Sequence, residues 1–153
     1  LFKNIFLAVQ STDQQAKFSM WSPVNQWEQI KRDSEKILEQ WDMLEQAHMP
    51  VKDLSYGDRR LIELVLALAT NPKILLLDEP TAGLAPEETE EITKVIENLD
   101  RNMTVLLIEH DMNTALRLVD RVTVMNQGQI LAEGTVEQIQ RNRSVQEIYF
   151  GHE

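Results

Sequence analysis

Four aliphatic residues lead directly into two acids in the segment Ile74-Leu75-Leu76-Leu77-Asp78-Glu79-Pro80-Thr81. The aliphatic run predicts a strand buried on both faces, as in parallel sheets. The acids then lie at the carboxyl edge of the sheet, where doubly wound folds bind ligands. There Asp78 can hold Mg²⁺ through oxygen or water, and Glu79 can orient a water for attack on a phosphoryl group. Taken alone, the segment is equally well interpreted as a strand that ends in two solvated acids.

The composition is that of one soluble globular domain, with 153 residues of which 42% are hydrophobic and 26% charged. A formal charge of −10 argues against a general nucleic-acid binder, because the phosphate backbone would be repelled. The absence of cysteine excludes disulfides, thiolate metal sites and thiol catalysis. The aliphatic stretches are far shorter than the roughly 20 residues that cross a bilayer. Because the chain begins with Leu1, we expect it to be a piece of a longer polypeptide.

Two regions differ in their patterning. Residues 1–53 are polar and predict helices, with a loop from Ser11 to Pro23 and an apolar stripe from Ile30 to Leu44 on a longer helix. From Leu54 onward, strands alternate with helices, which indicates an α/β fold with parallel strands. The expected helices there are 58–69, 86–99, 112–119 and 136–141, and the expected strands are 74–77, 104–108, 121–125 and 129–132. The last two strands flank Asn126-Gln127-Gly128, which predicts a hairpin.

Two further segments carry residues suited to phosphate binding. Ser55 offers a hydroxyl, and Gly57 permits close backbone approach at the start of a helix whose N-terminus can receive a phosphate. His110 ends the strand after Asp78 and Glu79, at the same edge, and is a candidate phosphate contact. Taken alone, these features are more simply a helix cap and a structural histidine.

In their order and spacing these motifs resemble the ATP-binding-cassette (ABC) ATPases. The matching segments are the signature loop (Leu54-Ser55-Tyr56-Gly57-Asp58), the Walker B strand with the catalytic glutamate (Ile74 to Glu79), the D-loop (Ala82-Gly83-Leu84-Ala85) and the switch histidine (His110). Residues 1–53 then fit the family's helical subdomain, and residues 54–153 fit the C-terminal part of a P-loop NTPase core. Further segments resemble the ATPase subunits of branched-chain amino-acid importers, namely Ile108-Glu-His-Asp-Met, Val124-Met-Asn-Gln-Gly and Tyr149-Phe-Gly.

The resemblance implies an ATPase that uses ATP and Mg²⁺. Asp78 would bind Mg²⁺ through water, Glu79 would polarise the attacking water, and His110 would contact the γ-phosphate. The signature loop would meet the nucleotide of a second ATP-binding subunit in a head-to-tail dimer. The other implied partners are transmembrane permease subunits and, indirectly, a solute-binding protein, at the cytoplasmic face of the inner (plasma) membrane; no nucleic acid is implied.

Three positions depart from the commonest family pattern. Tyr56 and Asp58 stand where a small residue and a glutamine are usual, and the carboxylate of Asp58 argues against direct side-chain contact with a phosphate. At Ala85 the family usually has Asp or Asn, so a side-chain hydrogen bond across the dimer is lost. The departure at Ala85 therefore implies that the coupling between the two ATP sites is weaker or is mediated by the backbone.

The chain contains no Gly-x-x-x-x-Gly-Lys-[Ser/Thr] motif. We therefore expect the P-loop to precede Leu1 and the 153-residue chain alone to be inactive as an ATPase. Two alternatives to an amino-acid importer stay open. One is an ABC ATPase of lipopolysaccharide export or of a non-transport task such as DNA repair, although a repair protein would carry a long coiled-coil insertion. The other is a non-catalytic interaction module.

Overall fold

The structure, a computed structural model, describes residues 1–12 and 24–150. The chain divides into two compact units, the first formed by Leu1–Leu75 with Arg101–Thr104 and the second by Leu76–Asp100 with Val105–Glu153. The expected helical subdomain, residues 1–53, lies within the first unit. Across the described ranges, no helix combines the length and the apolar character that a membrane span requires.

The first unit is built from three helices, α1 (Phe2–Thr12), α2 (Val24–Gln40) and α3 (Tyr56–Ala69), with a short 3₁₀ turn at Val51–Asp53. Helix α1 packs against both α2 and α3. Their buried apolar residues form its core: Ile5, Ile30, Leu38, Leu61, Ile62, Leu64 and Val65. Helix α1 includes the first two residues of the expected loop, and the rest of that loop, residues 13–23, lies outside the described residues.

Helix α2 ends four residues before the predicted apolar stripe does. The N–H of Met43 donates to the carbonyl of Leu38 at 2.8 Å, and the N–H of Asp42 donates to that of Glu39 at 3.1 Å. This is a Schellman motif, in which Asp42 takes the left-handed conformation (φ 53°) that glycine usually supplies. Met43 and Leu38 are both buried, whereas Leu44 is 47% exposed. The predicted helix to residue 44 is therefore wrong in its last turn.

Strands β1 (Ile74–Asp78) and β2 (Thr104–Ile108) pair in parallel. Hydrogen bonds at either end fix the register, from the N–H of Thr104 to the carbonyl of Lys73 and from the N–H of Glu79 to the carbonyl of Ile108. The predicted burial of both strand faces is wrong for this chain. Leu75 is buried, but Ile74, Leu76, Leu106 and Ile108 are 57–69% exposed, because none of the described residues covers the face formed by these alternate positions.

In the second unit, each of the two strands leads into a helix. Helix α4 (Pro86–Glu97) follows β1, and α5 (Met112–Leu118) follows β2. Arg117 of α5 bonds to Glu90 and Glu97 of α4, at 2.7 and 3.0 Å. The hydrogen bond from Arg117 lowers the pKa of the Glu90 carboxyl. All three side chains are solvent-accessible, so these two ion pairs contribute little to folding stability and mainly orient the two helices.

The second unit closes with the predicted hairpin and short helices. Strands β3 (Arg121–Asn126) and β4 (Gln129–Thr135) are antiparallel and are followed by α6 (Val136–Gln140) and α7 (Arg143–Val145). The turn residues Gln127 (φ 49°) and Gly128 (φ 75°) have the two positive φ values of a type I′ turn. Val124, Ile139 and Val145 form the core of this part. Of the terminal Tyr149-Phe-Gly segment, Gly151 lies outside the described residues.

Candidate nucleotide-hydrolysis site

The ends of β1 and β2 bring the predicted catalytic glutamate and the switch histidine together. Glu79 Oε1 lies 3.3 Å from Nδ1 of His110, and the two side chains are 47% and 71% exposed. The ladder continues one residue beyond β1, because the Glu79 N–H donates to the Ile108 carbonyl at 2.8 Å. A carboxylate and an imidazole therefore meet at an open sheet edge, where water and a phosphate can approach them.

Glu79 holds an unusual backbone conformation. Its φ of 45° lies in the left-handed region, which a residue with a Cβ seldom adopts. The N–H of Ala82 donates to the Glu79 carbonyl at 3.1 Å and closes a tight turn directly after the strand. Such a conformation costs roughly 1–3 kcal/mol and persists only where the surrounding contacts enforce it.

A second glutamate, Glu109, holds this turn. The side chain of Glu109 is 1% exposed. Its Oε1 accepts hydrogen bonds from the Thr81 hydroxyl at 2.6 Å and the Thr81 N–H at 3.4 Å. Its Oε2 accepts the N–H of His110 at 3.2 Å. Strand alternation was the available signal, because it places Glu109 and His110 on opposite faces.

Asp78, the predicted magnesium ligand, ends β1 and is exposed. No group of three or more His, Asp or Glu residues that could hold a metal ion occurs within residues 1–12 and 24–150. A single exposed carboxylate suits Mg²⁺ nevertheless, since this ion keeps several waters and takes its other ligands from substrate phosphates. The donor chemistry at Asp78 therefore fits the ion.

The helix after the switch histidine has a charged cap. The Asp111 side chain accepts the N–H groups of Asn113 and Thr114, both at 3.2 Å, and the Thr114 hydroxyl. These bonds, that of the Thr114 hydroxyl first, lower the pKa of the Asp111 carboxyl. Asp111 is therefore the N-cap of α5, and it directly follows His110.

The signature loop begins helix α3 in the first unit. Ser55 is the N-cap, and its Oγ accepts the Asp58 N–H at 2.9 Å. A hydroxyl that accepts one hydrogen bond can still donate one, so Ser55 retains a proton for a phosphate oxygen. Gly57 is buried in the first turn of the helix. Tyr56 is 44% exposed and bonds through its hydroxyl to Arg60, whose guanidinium also faces the ring.

The D-loop, Ala82-Gly83-Leu84-Ala85, forms the turn between β1 and α4. Gly83 takes φ 75°, which explains a glycine at this position. Ala85 is the N-cap of α4 but offers no side-chain acceptor, so Glu88 provides half of a capping box by accepting the Ala85 N–H at 2.9 Å. Pro86 occupies the first helical position, where its missing N–H costs nothing.

Two family matches bear on these motifs. Residues 2–82 match the ABC transporter family, and residues 129–153 match the family of branched-chain amino acid ATP-binding cassette transporters. The first match includes the signature loop, the Walker B strand and the start of the D-loop. The second covers the C-terminal segment from β4 onward.

Curated relatives and solved structures agree with these matches. The chain is 47% identical over 116 residues to the high-affinity branched-chain amino acid transport ATP-binding protein LivG of Escherichia coli (strain K12), covering 74% of this chain and 46% of that protein. It is 33% identical over 127 residues to the lipopolysaccharide export system ATP-binding protein LptB of Haemophilus influenzae, covering 82% and 53%. The ADP conformation of an ATP-binding cassette of an ABC transporter superposes with a TM-score of 0.70 at 31% identity, covering 97% of this chain and 62% of that one.

The chain spans about half the length of the curated relatives that it matches. Its match to the ABC transporter family nevertheless covers more than half of its own residues and includes Glu79, one of the two residues that meet at the sheet edge. The chain therefore belongs to the ATP-binding family of ABC transporters.

Proposed function

We propose that this chain is the C-terminal portion of an ATP-hydrolysing subunit that powers import of branched-chain or related amino acids by an ABC transporter. The contact of 3.3 Å between Glu79 Oε1 and His110 Nδ1 carries the proposal, because it joins two motif residues from separate strands at one open edge. The 47% identity to LivG and the match of residues 129–153 to the branched-chain family support amino-acid import.

Glu79 orients the water that attacks the γ-phosphate. Its carboxylate accepts a proton of that water, and the contact with His110 limits the rotamers it can adopt. His110 uses Nδ1 toward Glu79, which leaves Nε2 for the γ-phosphate. Catalysis in phosphoryl transfer is largely positioning and charge stabilisation, and this pair provides the positioning part.

Asp78 would hold Mg²⁺ through water. When bound, this ion neutralises the charge that develops on the phosphate oxygens. The signature loop serves a different nucleotide, that of a second ATP-binding subunit in a head-to-tail dimer. There the Ser55 hydroxyl, which keeps a free proton, and the N-terminus of α3 meet the γ-phosphate, with Tyr56, Gly57 and Asp58 shaping the loop.

The assembly follows from the same proposal. Residues 1–53 form the helical subdomain and residues 54–153 the C-terminal part of the ATPase core. The subunit lies peripherally at the cytoplasmic face of the inner membrane, bound to transmembrane permease subunits, with a solute-binding protein as an indirect partner. Because Ala85 provides no side-chain acceptor, the D-loop contacts its partner through the backbone.

Glu79→Gln in the full-length subunit tests the catalytic proposal. The amide keeps the size and hydrogen bonding of the side chain but cannot act as a base, so ATP remains bound while hydrolysis falls by about 100-fold or more. Glu91→Gln, a change in a surface glutamate of α4, is the matched control and leaves turnover normal. Near-normal hydrolysis in Glu79→Gln would show that another residue orients the water.

Lipopolysaccharide export is the second candidate, because the chain is 33% identical to LptB over 127 residues. Transport assays in proteoliposomes decide between the two. ATP-dependent uptake of leucine with the cognate permease supports import, whereas extraction of lipopolysaccharide without amino-acid uptake supports export.

A further inference from the structure

We propose that Glu109 is a positioning residue that ties the entrance of the D-loop to the switch histidine. The proposal rests on the ATPase function proposed above and assigns a role to two residues that have none in it, Glu109 and Thr81. Glu109 directly follows β2, and Thr81 lies immediately before the D-loop, 28 residues earlier in the chain.

Each oxygen of this carboxylate serves a different segment. Oε1 accepts the Thr81 hydroxyl at 2.6 Å and the Thr81 N–H at 3.4 Å. Oε2 accepts the His110 N–H at 3.2 Å and lies 3.9 Å from His110 Nδ1. Because the side chain is 1% exposed, water does not compete for these bonds. One buried group therefore fixes the D-loop entrance and the histidine backbone relative to each other.

Glu79 lies inside the segment that this bridge holds. On one side its N–H is bonded to the Ile108 carbonyl at 2.8 Å, and on the other the chain is held at Thr81, two residues away. These two anchors enforce the left-handed conformation of Glu79 (φ 45°). If the Thr81 anchor is lost, Glu79 can relax to an ordinary conformation, which moves its carboxylate away from His110. A displacement of about 1 Å at such a group can cost about 100-fold in rate.

Variants of the full-length subunit test the bridge. Thr81→Val removes the hydroxyl at constant volume, and Thr81→Ser restores it. Glu109→Gln keeps an acceptor for Thr81 but turns an amide N–H₂ toward the His110 N–H, so it breaks the hydrogen bond between residue 109 and His110. Thr93→Val is the matched control, because Thr93 is 1% exposed and its hydroxyl bonds to the Thr89 carbonyl within α4.

The readouts are kcat, KM for ATP, and the ¹⁵N resonances of the His110 ring. We expect kcat to fall about 10- to 100-fold in Thr81→Val and in Glu109→Gln, with KM within about twofold of wild type and shifted ring resonances. Thr81→Ser and Thr93→Val keep wild-type values. Because both changes break one bridge, the double variant is no slower than the slower single variant.

Wild-type kcat in both Thr81→Val and Glu109→Gln, in a subunit that hydrolyses ATP, would overturn the proposal. An equal loss in Thr93→Val would also overturn it, because the effect would then be general loss of packing. A wild-type subunit without hydrolysis would refute the proposed function instead. The ring resonances still decide on the bridge in that case: a shift in Thr81→Val and Glu109→Gln supports it, and unchanged resonances overturn it.

Discussion

Ser55 combines two roles that substitution can separate. Its Oγ caps α3 by accepting the Asp58 N–H at 2.9 Å, and its proton is available for the phosphate of the opposing subunit. Ser55→Ala removes both functions, whereas Ser55→Asp keeps the cap, because aspartate caps helices as well as serine does. The order of the variants in stability should therefore differ from their order in hydrolysis.

The magnitudes follow from the two interactions. Loss of the cap in Ser55→Ala costs about 1 kcal/mol, which lowers Tm by about 2–4 °C in a protein of 150–250 residues, while Ser55→Asp stays close to wild type. Facing a phosphate, the aspartate adds a like charge. At about 4 Å and an effective dielectric constant of about 20, the repulsion is about 4 kcal/mol, or about 1,000-fold in rate. We expect the rate of hydrolysis to be highest in the wild type, lower in Ser55→Ala and lowest in Ser55→Asp.

Thermal unfolding, ATP binding to the monomer and steady-state hydrolysis measure these effects. Because the loop serves the opposing subunit, all three proteins should bind ATP equally as monomers. Hydrolysis by Ser55→Asp at the wild-type rate would refute the phosphate contact. Weaker ATP binding by the Ser55→Asp monomer would refute the head-to-tail arrangement, since the loop would then touch its own nucleotide.

Three further outcomes are expected. The 153-residue chain alone should show no magnesium-dependent ATP hydrolysis, because it lacks the P-loop motif, and turnover abolished by Glu79→Gln would contradict this. The pKa of Asp111 is lowered in the folded state, so its carboxylate contributes stability that is fully present above the unfolded pKa of about 3.9. This stability is lost as the pH falls through the folded pKa. In chemical denaturation, the difference in unfolding free energy between wild type and Asp111→Asn should therefore shrink below about pH 4. In the isolated chain, Leu75→Ala should cost about 2–5 kcal/mol of unfolding free energy, because Leu75 is only 4% exposed. Leu76→Ala should cost less than about 0.5 kcal/mol, because Leu76 is 69% exposed, and equal losses in the two variants would contradict this burial pattern.

Local signals sufficed where one segment determines its own conformation. Strand β2 has the predicted bounds, Asp111 caps α5, and the turn at Gln127 and Gly128 has the predicted form. In each case the deciding interactions lie within a few residues, so a sequence pattern records them. The meeting of Glu79 and His110 was also predictable, because the carboxyl ends of parallel strands share one edge.

Other features depended on contacts between distant residues. Nothing local marks Asp42 as the left-handed end of α2, since the usual signal is glycine. The conformation of Glu79 and the burial of Glu109 depend on a hydrogen bond that joins positions 28 residues apart. Strand alternation places Glu109 opposite His110, but only the fold shows that Thr81 meets it there.

One face of β1 and β2 is predicted from the sequence to be buried but is exposed in the structure, and this difference corresponds to a sizeable free energy of burial. Full burial of an aliphatic side chain of this size contributes about 1.5–3 kcal/mol. The four residues Ile74, Leu76, Leu106 and Ile108 are 57–69% exposed, so covering them contributes about 4–7 kcal/mol. A whole domain is stable by only about 5–15 kcal/mol. The catalytic pair lies just beyond these same strands, with Glu79 one residue after β1 and His110 two residues after β2. Covering this face would therefore stabilise the strands that hold Glu79 and His110 by an amount comparable to the stability of the fold, which links the packing of the sheet to the geometry of the site.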